Sequence, residues 1–292
     1  MTAPCVVAIG GGHGLSVTLR ALAPWAGQVT GVVSTADDGG STGRLRESWD
    51  GPALGDVRRC LSAVADPDAI WAHVLERRFD GGELSGHAVG NLLLLALTEE
   101  LGDLQAACDE IARTAGIDLQ RARVVPVTDD TVVLCGRTAG GDVVQGQVAV
   151  ATTVGIEEVW VTPEGTDASA IAIDAIRAAE LVVLGPGSLY TSVLAATVVG
   201  DLRKALADTS ARIAYVANLR AEQAEARGYD LAAHLAALGR HGVHPHVVLA
   251  DPRASVAAGA ADVDVIRADL ADERGLLHDP AKLGASLAAL VG

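Results

Sequence analysis

The sequence predicts a Rossmann-like α/β protein with a doubly wound, mainly parallel sheet and a small antiparallel β insertion. Two observations predict it. Short apolar, β-branched runs alternate with segments of helical apolar spacing along most of the chain, and glycine-rich loops follow several of these runs directly. Because the crossover between parallel strands is right-handed, the first strand–helix–strand unit makes its strands parallel neighbours. We expect residues 1–292 to form one such domain.

The first half of the chain supplies the elements in this order. A strand over Cys5–Ile9 precedes a helix over Leu15–Leu22 and a strand over Val29–Val33. A polar, glycine-rich connection then runs from Thr35 to Gly51. Three helices are predicted after it, namely Asp56–Ala65, Trp71–Phe79 and Asn91–Leu101.

Residues 123–153 change character and predict an inserted antiparallel β meander, because hairpin signals separate three short apolar runs. The runs are Val124–Val127, Thr131–Cys135 and Val143–Ala151. From Val159 the alternation returns, with these predicted strands: Val159–Thr162, Leu181–Leu184, Ile213–Ala217, Val247–Ala250 and one around Val265. The predicted helices are Asp167–Ala179, one from Leu189, Leu231–Leu238 and Asp279–Leu290.

Composition limits the classes of function. The chain has 292 residues, is 50% hydrophobic and only 3% aromatic, so its large core must be aliphatic. A net charge of −15 disfavours nucleic acid and anionic membrane surfaces as partners. Leu181–Gly200 is uncharged and long enough to span a bilayer, but its Gly-Pro-Gly-Ser interior favours a strand, a turn and a helix start. With no leader visible, we expect a cytoplasmic protein without membrane insertion, and its four irregularly spaced cysteines are expected to be reduced thiols.

Ligands of open parallel sheets bind beyond the carboxyl ends of the strands, and Gly10–Ser16 follows the first strand there. Its glycines let a ligand approach the backbone, and the following helix start suits a phosphate. Leu15 stands where the dinucleotide fingerprint needs its third glycine, and no Gly-Lys-Ser/Thr follows. The alternative is a tight structural turn.

The second loop, Ser34–Arg44, carries adjacent acids at Asp37 and Asp38. They either hold a Mg²⁺ ion that bridges phosphates or accept hydrogen bonds from a ribose; the alternative is a solvated turn.

The fourth loop contains Gly185–Ser188 after an apolar strand and is typical of an anion nest. There the alternative is that Ser188 is an ordinary helix N-cap.

The third candidate region joins Pro52–Arg59 to Ser85–Asn91, where small residues introduce two helices. Asp56 either faces the cleft or caps its helix, and His87 either contacts a ligand or is satisfied within the core. From spacing alone, no Ser/His/Asp or Cys/His set can be assembled, so hydrolytic catalysis is unsupported and catalytic residues are not assigned.

Five segments together resemble the YvcK family, the bacterial gluconeogenesis factors of the CofD-like superfamily: residues 9–16, 36–46, 55–58, 86–93 and 185–192. The resemblance implies a Rossmann-like fold, a cytoplasmic location and binding of UDP-sugars such as UDP-N-acetylglucosamine. It also implies a link to cell-wall synthesis, cell shape and growth on gluconeogenic carbon sources. The related CofD is a Mg²⁺-dependent transferase of 2-phospho-L-lactate.

The resemblance, with the loops above, assigns nucleotide or phosphate contacts to these residues: Gly11, Gly12, His13, Gly14, Leu15, Ser16, Asp37, Asp38, Gly39, Gly40, Ser41, Asp56, Arg58, His87, Asn91, Gly185, Pro186, Gly187, Ser188 and Asn218. Asp37 and Asp38 match the acidic pair that CofD-like enzymes place near metal and phosphate. Two positions depart from the family pattern. His13 stands where the family often has Thr, and Leu277 stands where an Arg usually precedes His278-Asp279.

Three functions remain open. A regulatory protein that binds a UDP-sugar and acts through an unidentified protein partner needs no complete catalytic set, and it leads. A CofD-like phosphotransferase would use Asp37 and Asp38 to hold Mg²⁺, the one cofactor that the sequence suggests. An NAD-dependent oxidoreductase is disfavoured by Leu15. A homodimer is suggested only by the general frequency of symmetric dimers.

Overall fold

A central sheet of seven parallel strands organises the protein, whose computed structural model describes residues 3–220, 224–254, 256 and 262–291. In chain order its strands are β1 (Cys5–Gly10), β2 (Gln28–Val33), β3 (Ala122–Pro126), β7 (Leu181–Leu184), β8 (Arg212–Val216), β9 (Val247–Ala250) and β10 (Asp264–Arg267). Their spatial order is β10-β9-β8-β7-β1-β2-β3. The predicted doubly wound parallel sheet is confirmed.

Helices cover both faces of this sheet. They are α1 (Gly12–Leu22), α2 (Gly40–Arg46), α3 (Gly55–Val64), α4 (Ile70–Glu76), α5 (Val89–Leu101), α6 (Leu104–Thr114), α7 (Gln147–Thr152), α8 (Ala170–Ala178), α9 (Ala195–Thr197), α10 (Leu202–Asp208), α11 (Leu231–Arg240) and α12 (Pro280–Ala288). A π-helical turn, Leu189–Leu194, leads directly into α9. Within the described residues, every helix falls short of what crossing a bilayer requires.

The apolar core lies in two layers separated by the sheet. Along β1, Val7 and Ile9 belong to one layer, whereas Val6 and Ala8 belong to the other, as alternation along a strand requires. The strands are apolar on both faces because helices cover both, which is typical of parallel sheets. All four cysteines are free thiols, and three of them are buried.

The antiparallel insertion is present, but its composition differs from the prediction. The small sheet has the order β5-β4-β6 and consists of β4 (Val133–Thr138), β5 (Val143–Gln145) and β6 (Ile156–Thr162). The first predicted strand of the meander lies elsewhere, because Ala122–Pro126 pairs in parallel with β2 at the edge of the main sheet. A proline tolerates this edge position because no further strand needs its missing N–H.

Four helical segments were not predicted. The connection over residues 35–51 contains α2, and α7 occupies the second half of the run predicted as a strand over Val143–Ala151. Helices α6 and α10 also have no counterpart in the prediction. Loop-forming glycines and β-branched residues dominate α2 and α7, so local propensity argues against helix there and tertiary packing decides.

Candidate functional site

The two glycine-rich loops touch each other. Strands β1 and β7 are parallel neighbours, so the loops that follow them leave the sheet side by side. A Cβ built on Gly14 would lie 1.8 Å from the backbone oxygen of Pro186, a contact that only glycine allows. The Thr18 hydroxyl, one turn further along α1, donates to the Gly185 carbonyl oxygen at 2.8 Å. These contacts fix the distance between the loops.

The first loop presents the start of α1. Its N-cap residue is Gly11, which has no side chain to satisfy the amides of the first turn. Such amides carry the positive end of the helix dipole and suit an anion. Ser16 donates its hydroxyl to the Gly12 carbonyl at 2.9 Å, whereas Leu15 is fully buried in the core. Only the backbone of Leu15 is therefore near the loop.

The second loop is held by Asn218, which follows β8. The Gly187 amide donates to Asn218 Oδ1, and Asn218 Nδ2 donates to the Gly187 carbonyl, both at 2.9 Å. Ser188 precedes the π-helical turn, but its side chain makes no capping hydrogen bond there. Ser188 is therefore not an ordinary helix N-cap.

A cavity of about 580 Å³ opens along both loops, a volume typical of small-molecule sites. Seven predicted site residues line it: His13, Gly14, Ser16, Pro186, Gly187, Ser188 and Asn218. The lining residues that the sequence did not assign to ligand contacts are Val17, Arg20, Arg59, Glu76, Ala151, Leu219, Arg220, Glu225, Leu276, Leu277 and His278. The spacing of His13, Val17 and Arg20 could have identified two of these residues, because it places all three on one face of a helix that starts at the glycine loop.

His278 also lines this cavity. Its ring is buried and forms a hydrogen bond with the Ala217 backbone, and burial lowers its pKa to about 4. The ring is therefore neutral at pH 7. Within the described residues, its Nε2 atom has no hydrogen-bond partner. A neutral ring nitrogen of this kind can accept a hydrogen bond from a ligand.

The adjacent acids Asp37 and Asp38 face different elements. Asp38 accepts from the Val148 amide at 2.9 Å and so holds the start of α7, which lies between β5 and β6 of the insertion. Asp37 accepts from the Gly39 amide at 3.1 Å, and its other oxygen lies near Gly55. The acid beside Asp37 at the glycine loop is thus Asp56.

Asp56 lies directly beneath the first glycine loop. A Cβ built on Gly11 would lie 2.6 Å from its Oδ2 atom, and Arg59 donates to Oδ1 at 2.7 Å. Burial and the neighbouring charge of Asp37 raise the pKa of Asp56 to about 6, although Arg59 opposes the shift. Asp56 does not cap α3, which begins after Leu54 without a side-chain cap.

We expect Asp56→Asn to flatten the dependence of stability on pH. Folding raises the pKa of Asp56, so the stability gained by keeping it protonated is complete below about pH 4 and is lost as the pH rises through about 6. Between pH 5 and pH 8 the wild type should lose about 1 kcal/mol more unfolding free energy than the variant. Urea denaturation at the two pH values measures this difference, and parallel losses would contradict it.

The residues near the loop fit a divalent cation only in part. Carboxylate oxygens are what Mg²⁺ prefers, and Asp37 and Asp56 lie together. However, each already accepts a backbone amide, from Gly39 and Gly12 respectively. Among the described residues, no group of three or more His, Cys, Asp or Glu side chains could hold a metal. The Asp37–Asp38 pair of the prediction is divided, because Asp38 binds α7.

Ser41, His87 and Asn91 form a hydrogen-bonded set that spacing did not reveal. Ser41 Oγ lies 3.1 Å from His87 Nδ1 and accepts from Asn91 Nδ2 at 3.1 Å. A serine beside an imidazole is the arrangement that nucleophilic catalysis uses, but none of the three is among the residues that line the cavity. The set instead joins α2 to the start of α5.

Arg58 also lies apart from the cavity. Its side chain is 1% exposed and forms an ion pair with Glu76. The absence of a side chain at Gly90 makes room for it, because a Cβ there would lie 2.5 Å from Arg58 Cγ. Arg58 therefore joins α3, α4 and α5, and the cleft-facing arginine of α3 is Arg59.

Comparison with known proteins gives consistent results. The profile of the family described as 2-phospho-L-lactate transferase CofD matches residues 6–274. A putative gluconeogenesis factor from Mycobacterium tuberculosis H37Rv is 41% identical, over 97% of this chain and 89% of its own length. The gluconeogenesis factor of Bacillus subtilis is 37% identical, over 82% and 75%. A crystal structure of a UPF0052 family member from Bacillus halodurans superimposes with a TM-score of 0.89 at 31% identity, covering 99% of both chains.

Proposed function

Since this chain belongs to the CofD family, we propose that it is a regulatory protein that binds UDP-sugars such as UDP-N-acetylglucosamine. The bound diphosphate would lie where Gly14 meets Pro186. The observation that carries the proposal is this contact, because it brings a helix start and a second glycine loop to one cavity. The similarity of this chain to proteins named gluconeogenesis factors supports the regulatory role.

The charges around the cavity support a diphosphate ligand. The chain carries a net charge of −15, yet in the lining of this cavity three arginines, Arg20, Arg59 and Arg220, outnumber the two glutamates, Glu76 and Glu225. A concentration of arginines in an acidic protein attracts an anion locally. On the opposite side, neutral His278 and the Asn218 amide would contact the nucleoside.

A Mg²⁺ ion is a further proposal. It would be held by the carboxylates of Asp37 and Asp56, and its role would be to neutralise charge on the diphosphate. Asp56 would then have to be ionised, which metal binding itself favours by lowering the pKa of a ligand carboxylate. Metal-dependent binding should therefore strengthen above about pH 6.

The remaining parts of the proposal concern the cell. The protein would act in the cytoplasm, sense the supply of cell-wall precursors, and pass this signal to a protein partner that affects cell shape and growth on gluconeogenic carbon sources. Regulation of this kind requires binding without turnover. This is what separates it from a CofD-like transferase.

Thermal denaturation with UDP-N-acetylglucosamine tests the proposal. At 100 times its dissociation constant, the ligand should stabilise the fold by about 2.7 kcal/mol. UMP, which lacks the second phosphate and the sugar, is the control and should stabilise less. The UDP-sugar should be recovered intact after incubation, with or without Mg²⁺. No stabilisation would contradict the proposal, and a response to GDP or a deazaflavin with transfer of a phospho group would favour the transferase.

A further inference from the structure

A second cavity of about 610 Å³ continues the first one. Arg20 and Glu76 line both cavities, so they stand where the two spaces meet. The second cavity lies between the ends of α1, α3 and α4, and its other lining residues are Ser62, Ala63, Ala65, Pro67, Ala72, His73, Arg77, Arg78 and Asp80. The nucleotide cleft therefore has an extension with basic side chains along its wall.

Arg20 is the uncommitted cation at this junction. Arg58 is paired with Glu76, Arg59 with Asp56, and Arg77 with Asp80. Arg78 donates to the Gly86 carbonyl. Within the described part of the chain, Arg20 has no hydrogen-bond or ion-pair partner. Its guanidinium group can therefore accept a ligand anion without breaking a protein contact.

Arg20 lies two helical turns beyond the glycine loop, and its side chain leans back toward that loop because helical side chains tilt toward the N-terminus. His13 and Arg20 lie seven residues apart on the same face of α1, which is about 10 Å along the helix axis. A diphosphate at the start of α1 would place its attached sugar against Val17. A substituent on the far side of that sugar ring would then lie beside Arg20.

Taking the proposed function as its basis, we propose that the site prefers nucleoside diphosphate sugars whose sugar carries a carboxylate, and that Arg20 binds this group. The planar guanidinium matches a carboxylate with two parallel hydrogen bonds. Among the described residues that line both cavities, the one carboxylate is Glu76, and it is already paired with buried Arg58. The open second cavity leaves room for a substituent longer than a hydroxyl group.

UDP-glucose and UDP-glucuronate are a matched pair of probes, because they differ only in a hydroxymethyl group and a carboxylate at C6. Calorimetric titration of the wild type should show UDP-glucuronate binding about tenfold more tightly, the strength of one charge-assisted contact. Arg20→Gln should remove this preference, because it should weaken binding of UDP-glucuronate about tenfold more than it weakens binding of UDP-glucose. Arg177→Gln changes an exposed arginine on α8 that lines neither cavity; it is the control and should keep the preference.

The outcomes separate this inference from the function on which it rests. If all UDP-sugars bind but glucose and glucuronate bind equally, the preference is wrong and the proposed function stands. If glucuronate is preferred in both the wild type and Arg20→Gln, the role of Arg20 is wrong. If none of the probes binds, UDP-N-acetylglucosamine included, the proposed function fails first. Arg20 is exposed, so the variant should keep the melting temperature of the wild type.

Discussion

Gly14→Ala should weaken binding of UDP-N-acetylglucosamine by about 100-fold, as the loss of two or more amide–phosphate hydrogen bonds would. A methyl group at this position would lie 1.8 Å from the Pro186 oxygen, whereas nonbonded heavy atoms normally stay about 3.5 Å apart. The two glycine loops must therefore separate. The backbone amides of the two loops would then no longer donate hydrogen bonds to the same diphosphate.

The same substitution should cost about 1–3 kcal/mol of unfolding free energy, because overpacking shifts the backbone at a buried contact. Calorimetric titration measures the affinity, and urea denaturation measures the stability. Gly81→Ala is the matched control, since a Cβ there meets nothing within 4 Å, and it should leave both quantities nearly unchanged. An affinity of Gly14→Ala within threefold of the wild type would show that the loops do not act on the ligand together.

The strands of the main sheet were the most predictable part of the fold. Leu181–Leu184 and Val247–Ala250 have the predicted bounds, because a continuous apolar run between turns is typical of a strand buried on both faces. The same property explains the error at Val124–Val127. Such a run shows that a strand is buried, but it does not show which strand is its neighbour.

The site was predictable where single loops define it and unpredictable where distant segments meet. Both glycine loops were identified because each directly follows an apolar run. The pairing of Asp37 with Asp56 and the Ser41–His87 contact depend on how α2, α3 and α5 pack. No spacing rule reports contacts across 19 or 46 residues. Arg58 was assigned to the ligand because the sequence shows two adjacent arginines but does not show which of them faces the cavity. In the structure it is Arg59.

Asp251→Ala should destabilise the protein by about 2–4 kcal/mol, because the buried backbone amides of Leu270 and Ala271 would lose their acceptor. Asp251 follows β9 and is 1% exposed. Its carboxylate accepts from the amides of Leu270 and Ala271 at 2.9 and 3.1 Å, and from the Arg253 guanidinium. These bonds hold the segment that leads to His278. The variant should therefore also bind the UDP-sugar more weakly.

The pH dependence of this loss identifies the carboxylate as its cause. Hydrogen bonds from Arg253 hold the pKa of Asp251 well below its ordinary value, so the stabilisation is complete above about pH 5 and is lost progressively as the pH falls below about 4 toward the lowered pKa. The difference in unfolding free energy between the wild type and Asp251→Ala should shrink over that range. Asp174→Ala, an exposed acid on α8, should change stability by less than about 0.5 kcal/mol. An equally small loss for Asp251→Ala at pH 7 would mean that the C-terminal wall of the cavity is held by other contacts, such as those of Lys282 with Asp269 and the Ala271 carbonyl.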